Sequence, residues 1–381
     1  MELKVKKLNE SVEKGNEFEE DTKKTLALRT DIDTLQIHID KLDELEMMKA
    51  TKRWDSIAKP LNSLGKLEKT VIKLAGIFGS ECIDISKKCV VVMCADNGVV
   101  EEGITQSGPE VTLTVAENMT RNKATINILS GECNAEVFVV DIGISSEFNN
   151  DRIINKKVMN GTNNLYREPA MTRDQTLQAI QTGIDMVGEL KSRGFHMIAT
   201  GEMGIGNTTT SSAVTACLLN KKASEVTGRG AGLSSSALDK KIKIIEEAIQ
   251  LHQPDETDPI DVLAKVGGLD IAGLTGIFLG GGIHKIPILI DGFISSVAAL
   301  VATRLCKESK DYMFATHISK EPAGRMLIDT LELPYLVDLH MCLGEGTGAV
   351  MTFPIFDMAL AVYHRMSSFE QANIETYQKL L

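Results

Sequence analysis

The sequence predicts an α/β protein, a parallel sheet flanked by helices, and three observations carry that reading. Apolar runs rich in β-branched residues recur along the 381-residue chain, each ending at Asp, Gly or Asn. They lack the polar alternation of a half-exposed strand, so both faces of each must be covered, as in parallel sheets. Helical patterns lie between them. Thirdly, hydrophobic residues make up 43% and aromatics only 4%, with 31 glycines, a balance that suits an Ala/Val/Ile/Leu core with many glycine loops and not an aromatic-rich sandwich.

Residues 1–30 are dense in Lys, Glu and Asn and read as a charged, solvated extension. From Asp31 to Ala58, the positions Ile32, Leu35, Ile39, Leu42, Leu45 and Met48 recur every three or four residues, the stripe of an amphipathic helix that docks on a core. KPLNSLGKLEKTVIKLAGIFG then reads as a turn feeding a second helix, with Gly76 and Gly79 near its end. Strands are expected in CVVVMCADNGVV (89–100), AEVFVVDIG (135–143), FHMIATGEMGIGN (195–207), IPILIDGF (286–293) and DYMFATHIS (311–319). Residues 76–348 would form the large α/β domain. The helical tail, 349–381, would join 31–75 in a small helical lobe made from both chain ends. Ligands of open parallel sheets sit at the carboxyl ends of the strands, where these Asp and Gly residues fall.

A count of 41 Lys plus Arg against 52 Asp plus Glu, net −11, argues against nucleic acid or an anionic membrane as partner. The N-terminus has no apolar signal core, and no stretch of roughly 18 apolar residues is present, so no membrane span is expected and a cytoplasmic location is. Seven scattered cysteines, without CxxC or zinc-type spacing, read as reduced core thiols. HExxH, GxSxG and EF-hand patterns are absent, and the reading calls for no metal and no cofactor.

The sharpest motif is Thr200-Gly-Glu-Met-Gly-Ile-Gly-Asn-Thr-Thr-Thr-Ser-Ser-Ala213, followed by a helical run. Glycines let backbone amides approach an anion, and the helix N-terminus beyond them favours negative charge, so phosphate is the natural guest. It is not a Walker loop, and Thr209 stands where a dinucleotide fingerprint needs its third glycine. An ordinary strand-to-helix turn with a Thr cap is the alternative. In Leu343-Gly344-Glu345-Gly346-Thr347-Gly348, a carboxylate flanked by glycines can face a ligand and act as general base, or can equally cap a helix. His317 reads as a structural histidine, Lys240 and Lys241 as a solvated helix face, and VGGLDIAGLTG as helix packing through small residues.

Taken together and in order, CADNGVVEEGI, GTNNLYREPAMT, TGEMGIGNTTTSSA, VGGLDIAGLTG, DGFISSVAAL, HISKEPAGR and LGEGTGAV resemble the nicotinate-nucleotide:dimethylbenzimidazole phosphoribosyltransferase family over about residues 31–365. The resemblance implies a Rossmann-like large domain, a small lobe from both chain ends, and a homodimer with active sites at the subunit contact. It implies transfer of phosphoribose from nicotinate mononucleotide to a benzimidazole nitrogen, with inversion of the glycosidic bond, in assembly of the cobalamin lower-ligand nucleotide. Glu345 sits at the family's general-base position, with Leu343 and Gly344 beside it in contact with substrate. Glu202 and Gly204 match the substrate-contacting loop, whose neighbours Met203, Gly206, Asn207 and Thr208 are further candidates. Lys241 and Ser319 match positions that contact phosphate and ribose. Gly103–Thr112 resembles the base-pocket loop. The family's PPGSLG turn is here Lys59-Pro-Leu-Asn-Ser-Leu-Gly65, and its ADHG is Ala95-Asp-Asn-Gly98. The rival readings are a relative using benzimidazole, adenine or a phenol as base, a non-catalytic nucleotide sensor, and a dinucleotide oxidoreductase.

Overall fold

The computed structural model describes residues 30–31 and 36–377. The extension read over residues 1–30 lies outside them, apart from Thr30. At the centre is a six-stranded, wholly parallel sheet of β3 (Lys88–Ala95), β4 (Ala135–Gly143), β5 (Ile154–Asn155), β6 (Met197–Met203), β7 (Ile288–Ile290) and β8 (Met313–Ala315). Its spatial order is β5-β4-β3-β6-β7-β8. Counting from β3 as the first strand, that order is 3-2-1-4-5-6, the doubly wound Rossmann arrangement. All eight residues of β3 are buried, so both faces of the sheet are covered, as its unbroken apolar run predicts. The five anticipated strands are present. β5 was not anticipated: two residues paired with Val140 and Asp141 carry no apolar run to announce them.

The expected helix over 31–58 is corrected at its start. Thr30–Asp31 (β1) pairs antiparallel with Gln36–Ile37 (β2), and helix α1 runs only Glu44–Ser56, with the Asp43 side chain accepting from the Glu46 N–H at 3.0 Å. The stripe counted from Ile32 crosses non-helical backbone, so its spacing does not describe one helix face: Leu45 and Met48 are 57% and 55% exposed, while Ala50 and Trp54 are buried. Ile32 and Leu35 lie outside the described residues. Helix α2 (Lys66–Phe78) follows, and Gly79 ends it with a left-handed cap.

The connections between strands carry α3 (Glu110–Thr120), α4 (Thr125–Glu132), α5 (Arg173–Ser192), α6 (Asn207–Leu218), α7 (Ala223–Val226), α8 (Ser235–His252), α9 (Pro259–Val266), α10 (Leu269–His284) and α11 (Phe293–Leu305). After β8 come α12 (Gly324–Leu331), α13 (Thr347–Val350) and α14 (Phe353–Arg365). Residues 269–283 of α10 are buried throughout, as a helix apolar on every side must be. It meets α5 backbone to backbone: a Cβ on Gly183 would collide with the Gly273 carbonyl, and one on Gly276 with that of Ile180. This is the small-residue packing read in VGGLDIAGLTG.

Helix α1 and the residues after it meet the end of α14. The Trp54 ring packs at 5.2 Å on Tyr363, Arg53 donates to the Met366 carbonyl at 2.9 Å, and Ile57 bridges to Ser368. The variant turn at Lys59 is structural: its ammonium pairs with buried Glu68 at 2.6 Å and lies over the Trp54 ring. All seven cysteines are free, but the expectation of core thiols holds only for Cys89, Cys94 and Cys306; Cys82 and Cys342 are exposed. Among the described residues no helix is long and apolar enough to cross a membrane.

Candidate active site

The chain leaves β3 toward β4 on one side and returns to β6 on the other, so the connections diverge between the carboxyl ends of β3 and β6. Such a switch point opens a crevice at the edge of the sheet. A cleft of about 330 Å³ lies there, and all eleven candidates from the sequence line it: Glu202, Met203, Gly204, Gly206, Asn207, Thr208, Lys241, Ser319, Leu343, Gly344 and Glu345.

The 200–213 motif turns from β6 into α6 as expected, but with no Thr cap. Gly206, at φ +92°, is the N-cap, and no side chain caps the helix. Glycine is required at Gly204, where a Cβ would strike the Ala95 carbonyl, and at Gly206, where the left-handed backbone and Val100 exclude one. Asn97, the residue departing from the family pattern, sits beneath this loop, donates to the Ile205 carbonyl at 3.3 Å and accepts from Thr210.

Adjacent residues of the first turn of α6 serve opposite chemistries. The Asn207 amide donates to Glu202 and, at 3.0 Å, to Asp270. Both acids are buried and close to each other. Burial, then the Asp270 charge, pushes Glu202 up to about 8 against the pull of the Asn207 hydrogen bond. Burial raises Asp270 to about 6. Glu202 is thus a neutral acid at neutral pH. The next hydroxyl, of Thr208, accepts from Lys241 at 2.8 Å. Lys241 is not on a solvated face: it is 1% exposed, and burial brings its ammonium down to about 8. Its neighbour Lys240 does face solvent, and donates to the Glu102 carbonyl.

Glu345 does not cap the helix that follows it. It is half-buried, in left-handed backbone (φ +61°) between Gly344 (+86°) and Gly346 (+91°), and its Oε2 accepts at 3.4 Å from the Ile126 N–H in the first turn of α4. Burial pushes its carboxyl above the usual range, the Ile126 N–H lowers it, and the Asp291 charge raises it. Glu202 reaches the turn that carries Glu345, since a Cβ on Gly344 would collide with Glu202 Oε1, and the Glu345 charge adds to what raises Glu202. Ser319 is buried, and its hydroxyl accepts from the Glu321 N–H at 3.3 Å.

Further lining residues were not singled out from the sequence as site residues. Arg229, held by the Leu233 carbonyl at 2.7 Å and Ser235 at 3.1 Å, adds a second fixed cation to Lys241. Its signal was the Gly228-Arg-Gly-Ala-Gly232 run, a second glycine-rich turn. Gln106, from the base-pocket segment, reaches across to the Gly232 carbonyl. Glu321 is the acid nearest in effect to Lys241. Asp291 closes β7, where an apolar strand ends in an acid. His317, read as structural, also lines the cleft, 3% exposed and 3.9 Å from Asp291.

Fixed cations and an uncapped helix N-terminus suit a phosphate, while an acid ready to accept a proton and a neutral acid suit the polar edge of a ring. The chain matches the DBI_PRT family, described as phosphoribosyltransferase, over residues 39–374. It is 45% identical over 350 residues to the nicotinate-nucleotide–dimethylbenzimidazole phosphoribosyltransferase of Ruminiclostridium cellulolyticum, covering 91% of this chain and 99% of that one. It is 49% identical over 327 residues to the enzyme of the same name from Acetivibrio thermocellus, covering 86% and 93%. The crystal structure of CobT from Thermus thermophilus superposes with a TM-score of 0.83 at 34% identity, over 87% of this chain and all of that one. Motif order, strand order and overall likeness agree, and the chain belongs to the DBI_PRT phosphoribosyltransferase family.

Proposed function

We propose that this chain transfers phosphoribose from nicotinate mononucleotide to 5,6-dimethylbenzimidazole or a related lower-ligand base, giving α-ribazole 5′-phosphate and nicotinate for assembly of the cobalamin nucleotide. The single observation that carries the reading is the convergence of Glu345 and the Glu202–Thr208 loop on one cleft. Lys241, Arg229 and the α6 N-terminus hold the phosphate, Ser319 the ribose, and the Glu345 end receives the base.

The unprotonated ring nitrogen of the base attacks C1′ from the face opposite nicotinate. The C1′–N bond of nicotinate mononucleotide breaks, and its electron pair returns to the pyridinium nitrogen, so the leaving group needs no acid. The attacking ring would become a cation; Glu345 accepts the proton from its other nitrogen and prevents that. General-base help of this kind is worth about 10²- to 10⁴-fold. The remaining task is holding two flat rings and a sugar in line, and orientation supplies several further kcal/mol. No metal or cofactor enters this scheme.

The same reading assigns residues 31–75 and 349–381 to a small lobe, 76–348 to the large domain, and a homodimer in the cytoplasm as the working form. The test is turnover of nicotinate mononucleotide with 5,6-dimethylbenzimidazole, benzimidazole, adenine and a phenol in one mixture. α-Ribazole 5′-phosphate or its analogue is the expected product. Binding of nicotinate mononucleotide without turnover of any base would favour the sensor instead.

A further inference from the structure

The turn that carries Glu345 is an improbable piece of backbone. Three consecutive residues, Gly344, Glu345 and Gly346, have positive φ, and the middle one has a side chain. A non-glycine residue in such a conformation persists when its surroundings over-determine it. Backbone packing on β6 and the Thr347 hydroxyl bond to the Gly344 carbonyl hold part of it, and one buried side chain takes two amides of the turn. Asp291 stands at the carboxyl end of β7, 2% exposed, its own N–H donating to Ser295 Oγ at 3.1 Å. Its two carboxylate oxygens divide between two amides of the turn: Oδ2 accepts from the Gly346 N–H at 3.2 Å and Oδ1 from the Ala349 N–H at 2.9 Å. His317 lies against the same carboxylate, and Gly348 has no side chain because a Cβ there would strike the His317 ring. The acid therefore grips the turn on both sides of Gly348, at residues that neither adjoin it in sequence nor belong to its strand.

We propose that Asp291 is a positioning residue for the transfer, its buried carboxylate fixing the 344–349 turn so that Glu345 presents its oxygens to the incoming base in one orientation. The proposal rests on the reading of Glu345 as the general base. Three ionisable groups surround that base or its tether: Glu202 from β6, Asp291 from the end of β7, and His317 beyond β8. The Asp291 charge also makes Glu345 a better proton acceptor.

The test uses the full chain as wild type, Asp291→Asn, Glu345→Gln and the double variant. Asn keeps the shape but loses one of the two acceptors. Asp291→Asn is expected to lower kcat on the order of 10- to 100-fold, as a misplaced catalytic group does, with KM for nicotinate mononucleotide within about 2-fold of wild type. In the Glu345→Gln background it should cost less than about 2-fold more, because residues acting as a unit are not additive. The acid limb of kcat should move to lower pH in Asp291→Asn. An equal loss in both backgrounds, an unchanged kcat, or full activity of Glu345→Gln would each overturn the proposal. Should Asp291→Asn not fold, Asp291→Glu, which keeps the charge but displaces the oxygens, is expected to show the same kcat loss. Amide exchange at Gly346 and Ala349 gives a readout independent of turnover: it should quicken at least about 10-fold in Asp291→Asn. Unchanged exchange would mean that the tether does not hold the turn, whatever reaction the protein performs.

Discussion

Gly201 has no side chain because the main chain of Glu345 occupies the space: a Cβ there would lie 2.5 Å from the Glu345 carbonyl oxygen and 3.0 Å from the Gly346 nitrogen. Two motifs far apart in the sequence are thus in backbone contact, and β6 is the floor on which the Glu345 turn rests.

Gly201→Ala should push that turn outward. We expect kcat to fall at least about 10-fold and stability by about 1–3 kcal/mol, the usual cost of overpacking. Steady-state kinetics and urea unfolding measure the two. Wild-type kcat in the variant would mean that the contact does not set the geometry of the base.

Glu345→Gln removes the proton acceptor and little else. Its kcat should drop by about 10²- to 10⁴-fold at nearly constant KM for nicotinate mononucleotide. In wild type, kcat should rise with pH along a limb lying above the ordinary glutamate range, since burial and Asp291 both raise Glu345. A limb at or below that range contradicts the assignment.

Lys241 is brought down to about 8 by burial, so in the free protein it loses its proton where an ordinary lysine would keep it. KM for nicotinate mononucleotide should be flat below about pH 8 and rise above it, toward about tenfold per pH unit. Lys241→Met should raise KM by about 10- to 100-fold, the worth of a charge-assisted hydrogen bond, and abolish that rise. A pH-independent KM in wild type would remove Lys241 from the phosphate site.

Glu202 is held neutral up to about pH 8, whereas in the unfolded chain it ionises near 4.5. Between those values the folded state binds the extra proton, so stability falls as pH rises, with a slope approaching about 1.4 kcal/mol per pH unit from this group. The loss should be complete near pH 8. Glu202→Gln should flatten the decline, becoming relatively more stable at about pH 8 than at about pH 5.5, in urea titrations at the two pH values. Parallel pH dependences of variant and wild type would contradict a neutral Glu202.

The sheet was legible because β3, β4 and β6 are unbroken apolar runs, and the cleft because each ends in glycines or acids. The N-terminal helix was misplaced because a spacing rule counts residues whether or not the backbone between them is helical, and Asp43 starts the helix later than the stripe suggests. Lys241 was invisible as a buried cation, since beside exposed Lys240 it looks like half of a solvated pair; only its burial against Thr208 separates the two. The position of Asp291 at a strand end is legible, but its hold on the Glu345 turn is not, because its partners are backbone amides about 55 residues away and backbone amides leave no mark in a sequence.

The most direct measurement is a crystal structure with 5,6-dimethylbenzimidazole and the product nucleotide soaked in turn. The ring N–H should lie within hydrogen-bond reach of Glu345, roughly 2.6–3.2 Å, and the phosphate should rest between Lys241 and the first turn of α6. A ring bound away from Glu345, or a phosphate seated anywhere but beside Lys241, would contradict the mechanism.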